Sequence, residues 1–132
     1  MHKRFLVIAA IIGAASVAMG AFGAHLLKDI VSEKLLATFE TAVRYQFYHV
    51  FAIALTGILY QSFPNTTIVR AGYFFITGIF LFSGSLYLLT VSPPEYRWLG
   101  AITPFGGLCF ITGWFFLVAG IRRGNSRESG KL

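Results

Sequence analysis

The sequence predicts an all-α membrane protein: four antiparallel transmembrane helices, with a short amphipathic helix between spans one and two. Three observations lead there. First, residues 5–27, 45–69, 71–94 and 98–121 carry no Asp, Glu, Lys or Arg, in runs of 23, 25, 24 and 24 residues. About 20 mostly apolar residues cross the hydrocarbon core as a helix, so each run can span once. Second, charged residues make up 12% of the chain, against about 25% in a soluble domain. Apolar residues reach 56%, so lipid must supply most of the solvent. Third, the runs are joined by short segments rich in helix breakers, which force sequential helices to lie side by side and run in opposite directions.

The first run follows Met1-His2-Lys3-Arg4, a basic start that also resembles a secretory signal. The run is longer than a signal core, and its small residues have helical spacing, so a retained first helix is expected. Residues 28–44 come next. Ser32 can cap a helix beginning at Glu33. Leu35, Leu36, Phe39 and Val43 then share one sector, with Glu33, Glu40 and Arg44 opposite. This amphipathic stretch either lies at the interface or leads directly into span two. Pro64 and Asn65 end that span, and Pro93-Pro94 separates spans three and four. The chain divides into a transmembrane domain over 1–123 and a polar tail over 124–132, expected to be disordered and cytoplasmic.

Spans one and four carry seams of small residues. Gly13, Ser16, Gly20 and Gly23 recur every three or four positions, and Gly106, Gly113 and Gly120 every seventh. Small residues let helix backbones approach in lipid, so packing is the expected role. Pro104 with Gly106-Gly107 should bend the start of span four.

The formal charge is +6. Because the basic residues sit at span ends, the positive-inside rule explains them better than nucleic acid does. Lys3, Arg4, Arg70, Arg122, Arg123, Arg127 and Lys131 fall on one side, and Lys28, Lys34, Arg44 and Arg97 on the other. The bias places both termini in the cytoplasm, or its organellar equivalent. Cys109 is the single cysteine, so it has no disulfide partner within the chain and no metal-site spacing.

Polar residues within the spans gather in the half away from the termini: His25, Gln46, His49, Ser83, Ser85, Tyr87 and Thr103. Helical phase puts Gln46 and His49 toward the bundle and Glu40 and Arg44 away from it. An ionisable residue in a span is a functional candidate, and His49 is the one here. Its structural alternative is a hydrogen bond across helices to Ser85, Tyr87 or a backbone carbonyl, fixing register. Tyr45, Tyr48, Tyr96 and Trp98 read as interfacial anchors. His25 and His49 differ in depth, which argues against haem or metal between them. No acid is placed to orient His49 toward a serine, so a hydrolytic triad fails. No catalytic residue, cofactor or metal is therefore expected.

The segments Gly20-Ala21-Phe22-Gly23-Ala24-His25, Tyr45-Gln46-Phe47-Tyr48-His49, Phe82-Ser83-Gly84-Ser85-Leu86-Tyr87 and Leu99-Gly100-Ala101-Ile102-Thr103-Pro104-Phe105-Gly106-Gly107 resemble those of the YgdD/YwdK-like family. These are small integral membrane proteins classed by domain of unknown function 423, similar to transmembrane protein 256. The resemblance implies an inner-membrane location and carries no catalytic residue with it. The expected role is non-enzymatic: an accessory subunit, assembly factor or lipid-interacting scaffold. Its partners would be membrane lipids, another membrane protein or further copies of the chain. The alternatives are an oligomeric pathway for a small solute, ion or proton, and then a haem- or quinone-binding redox subunit.

Overall fold

The computed structural model describes the backbone of residues 2–128 and the side chains of residues 2–124. Helix α1 spans Lys3–His25 and starts where the basic residues give way to the first apolar run. A single 3-10 turn over Leu27–Asp29 reverses the chain. The Ser32 hydroxyl accepts the Leu35 N–H at 3.4 Å and caps α2, Glu33–Leu59. No Gly or Pro occurs before Gly57, so nothing interrupts this helix over its length of about 40 Å. The expected amphipathic segment is thus not a separate helix. It forms the first three turns of α2, with Phe39 buried and Glu40 and Arg44 exposed.

Asn65 caps α3, Thr66–Gly78, accepting from the N–H groups of Thr67 and Ile68 at 3.1 Å each. A π-helical turn over Ile79–Ser83 joins α3 to α4, Gly84–Val91, in one continuous rod. A 3-10 segment over Pro94–Ala101 follows and holds the beginning of the fourth uncharged run. Helix α5 then runs Thr103–Glu128. Pro104 lies in its first turn, where a missing N–H leaves no ladder bond broken, so it starts the helix rather than bending it. The helix passes Gly124, where a disordered tail was expected to begin, and the end of that tail, 129–132, lies outside the described residues.

Among the described residues there is no β-strand. Three helical stretches are long and apolar enough to cross a membrane: Lys3–Asp29, Thr66–Val91 and Pro94–Gly124. Helix α2 falls outside that set because Arg44, Gln46 and His49 lower the mean hydropathy of its most apolar stretch.

Glycines set the helix contacts. Along α1 and α2 the register ascends on one helix as it descends on the other, with Leu6 at Gly57, Gly13 at Val50, Gly20 at Val43 and Gly23 at Phe39. The same holds for α3 to α4 against α5, where Ile68 meets Gly120, Phe75 meets Gly113 and Phe82 meets Gly106. The small residues of the first and fourth runs lie along these two helix contacts. Helix α1 packs along α2 and α5 along α3, with α2 and α3 to α4 between them. Phe5, Ile53, Ile68, Phe75 and Phe110 fill the centre. Ile11, Val17, Phe80 and Phe115 are 63 to 70% exposed, an apolar outer surface that suits lipid.

Candidate functional site

The polar residues of the second, third and fourth runs meet in one layer of the molecule. Gln46 on α2 reaches both ways. Its side-chain N–H donates to the Ile12 carbonyl of α1 at 3.3 Å, and its oxygen accepts the Tyr87 hydroxyl of α4 at 2.8 Å. One side chain thereby ties three helices. Ser83, fully buried, donates to the Ala42 carbonyl at 2.7 Å and joins the π-helical turn to α2. Ser85 and Thr103 share a hydrogen bond of 2.7 Å between α4 and the start of α5.

Helical phase separates these partners, since Ser85 lies about 200° from Ser83 while Tyr87 returns to within about 40° of it. Ser83 then points at α2, Ser85 at α5, and Tyr87 across to Gln46.

His49 is buried as expected, at 6% exposure, but it does not bond across helices. Its Nδ1 lies 2.8 Å from the Tyr45 carbonyl, one turn earlier on its own helix. A carbonyl can only accept, so Nδ1 carries the proton in this bond and Nε2 holds a free lone pair. Ser85 and Tyr87, the partners expected for it, are taken by Thr103 and Gln46. What joins His49 to α5 is stacking: its ring lies 3.4 Å from that of Phe110, at 7°. Phe75 and Trp114 complete an aromatic surround, with centroids at 5.8 and 6.3 Å.

His25 does not belong to this group. It ends α1 and is exposed, because Gly23 and Leu27 occupy the buried face and a residue two positions from each projects away from it. Tyr48, Tyr96 and Trp98 are 49 to 60% exposed, as anchors should be, whereas Tyr45 also stacks on Phe82 at 4.6 Å. Cys109 is half-buried on α5. Among the described residues no three His, Cys, Asp or Glu side chains gather as a metal site.

A second polar group, at the opposite end, was missed in the sequence. The Asn65 side chain donates to the Gly120 carbonyl at 2.9 Å, and Arg123 donates from Nη1 to the Thr67 hydroxyl at 2.9 Å. Both bonds tie α3 to α5. The pattern Pro64-Asn65-Thr66-Thr67 before an apolar run is a helix-start signal and could have marked Asn65 as a cap. Nothing local could have paired positions 56 residues apart.

The family model described as a protein of unknown function (DUF423) matches residues 19–107. The chain is 40% identical over 116 residues to the UPF0382 membrane protein SH2409 of Staphylococcus haemolyticus, covering 88% of this chain and 93% of the relative. It is 38% identical over 117 residues to the UPF0382 membrane protein YwdK of Bacillus subtilis, covering 88% and 94%. The UPF0382 inner membrane protein YgdD of Escherichia coli is 36% identical over a 133-residue alignment, covering 97% and 100%. No solved structure matches the chain.

Proposed function

We propose, for a chain that belongs to the DUF423 family of membrane proteins, a non-enzymatic role as an accessory or assembly component built from four antiparallel spans. Helix α2 counts as a span despite its charged beginning, since it is packed along α1 on one side and α3 to α4 on the other. From Tyr45 to Leu59 it offers about 22 Å of uncharged helix, and Arg44 can extend its head group toward the interface.

The count of basic residues supports cytoplasmic termini, acids contributing little to orientation. The outer end holds Lys28, Lys34, Arg44 and Arg97, and the other end Lys3, Arg4, Arg70, Arg122, Arg123, Arg127 and Lys131.

The observation that carries the non-enzymatic reading is how the polar layer spends its hydrogen bonds. Gln46, Ser83, Ser85, Tyr87 and Thr103 are engaged with one another or with backbone carbonyls of neighbouring helices. Such a layer fixes helix register and leaves the lipid-exposed faces to meet other membrane components. Purification of the native protein in mild detergent should therefore bring down a defined membrane partner or further copies. Recovery of a lone monomer at every detergent mildness would refute the role.

One observation favours a second reading. An imidazole whose Nδ1–H is held by a carbonyl while Nε2 stays bare is the arrangement of a haem or metal ligand. In that reading Nε2 of His49 would be the ligand atom. A visible absorption spectrum of freshly purified protein decides it, and the absence of a haem band removes the haem version.

A further inference from the structure

The cavity at the basic end of the molecule is unconnected with the Gln46 layer. It measures about 450 Å³ and lies between the start of α3 and the end of the uncharged part of α5. Ser62, Thr66, Thr67 and Arg123 line it. We infer that this cavity is a binding site for the phosphate of an anionic phospholipid headgroup in the leaflet at this end. The inference rests on the membrane topology proposed above.

The guanidinium is fixed and only partly used. Thr67 is 3% exposed, and its hydroxyl anchors Nη1 of Arg123 at 2.9 Å. A guanidinium has five N–H donors, and that bond takes one. A phosphodiester offers two unbridged oxygens, which suit a forked donor better than a point charge does. The hydroxyls of Ser62 and Thr66 also line the cavity and make no hydrogen bond among the described residues. The helix end is not what attracts the anion, because Asn65 already takes the Thr67 and Ile68 N–H groups.

Position argues for a lipid rather than an anion from solution. Arg123 stands two residues beyond the uncharged run that ends at Ile121, which is headgroup depth. About two turns deeper on the same helix, Phe115 is 70% exposed and offers acyl chains an apolar surface. Lys3, Arg4 and Arg70 stand at the same end of the helices and add the same sign of charge there. Basic pockets between membrane helices on the cytoplasmic side are where anionic headgroups bind.

The test uses the full chain in nanodiscs of equimolar phosphatidylcholine and phosphatidylglycerol, with native mass spectrometry of the lipids retained after mild detergent release. Wild type should retain phosphatidylglycerol in preference. Arg123→Gln should cut that preference about tenfold, the value of one charge-assisted hydrogen-bonded contact. Thr67→Val keeps every charge and removes only the anchor, so a severalfold loss there separates a built site from diffuse attraction. Arg70→Gln removes a charge at the same end outside the cavity and should leave the preference within about twofold.

Equal losses from Arg70→Gln and Arg123→Gln, or none from Thr67→Val, would overturn the cavity as the site. Stabilisation of wild type but not Arg123→Gln by inorganic phosphate, in discs where phosphatidylglycerol has no effect, would overturn the lipid as the ligand. Melting in pure phosphatidylcholine checks that each variant is folded, and Thr67→Val carries the test if Arg123→Gln is not. A lipid preference that persists in a protein with no protein partner would refute the accessory role and leave this site standing.

Discussion

Replacing Gly106 with Ala should destabilise the bundle by about 2 kcal/mol, while the same change at Gly13 should not. A Cβ at Gly106 would collide with the backbone N of Phe82 and come within 2.7 Å of its Cα. Backbone atoms in a helix cannot rotate aside, so α5 and the π-helical turn would have to separate. Gly78 and Phe110, which meet beside that crossing, would lose contact with them. Overpacking costs about 1–3 kcal/mol, and a clash with backbone belongs at the upper end of that range, about 3, of which the helix preference of Ala over Gly returns about 1 kcal/mol. At Gly13 the nearest atom would be a Val50 methyl at 3.4 Å, an ordinary contact, so only the gain of up to about 1 kcal/mol remains. The two variants should therefore differ by about 3 kcal/mol. Reversible unfolding in mixed micelles, followed by tryptophan fluorescence, measures that difference. A Gly106→Ala protein as stable as Gly13→Ala would refute the reasoning that backbone contact, rather than small size, makes a glycine necessary.

The remaining predictions concern the polar layer. Tyr87→Phe and Gln46→Leu should each cost on the order of 0.6 kcal/mol per bond lost, with a double-mutant coupling of about the same size. A coupling of zero in that cycle would mean the 2.8 Å bond contributes nothing. His49→Phe should leave stability within about 0.5 kcal/mol, since a ring still stacks on Phe110, whereas His49→Ala should cost about 3 kcal/mol through the void left behind. If His49→Phe is as damaging to stability as His49→Ala, the hydrogen bond to Tyr45 matters more than the stack. If His49→Phe is stable yet loses a bound cofactor, the bare Nε2 is a ligand.

Much of the fold was legible because lipid imposes simple rules. Uncharged runs mark where the long helices lie, three of them apolar enough to cross a membrane among the described residues, and Pro64, Asn65 and Pro93-Pro94 mark where they stop. The buried placement of Gln46 and His49, and the exposure of Glu40 and Arg44, followed from helical phase alone, because α2 is regular. The partners of residues 83–87 were not legible, since they depend on how α4 is turned toward α2 and α5, and nothing in Ile79–Ser83 announces a π-helical turn. The separate amphipathic helix failed for a related reason: an amphipathic stretch and the span after it share one helix unless a breaker stands between them. The bond from Arg123 to Thr67 was invisible because it depends on which helices become neighbours.

The sequence by itself determined the solvent of this protein, the number of uncharged segments and the inward face of Gln46 and His49. These are properties of single segments, set by transfer free energy and by the 3.6-residue period. Only the tertiary structure decided how those polar residues are spent: Gln46 on two other helices, Ser83 on the α2 backbone, and His49 on an aromatic ring. It also decided that Gly106 meets backbone where Gly13 meets a methyl group. Hydrogen bonds and close contacts act over about 3 Å, so they depend on the rotation and separation of whole helices, which no local pattern encodes.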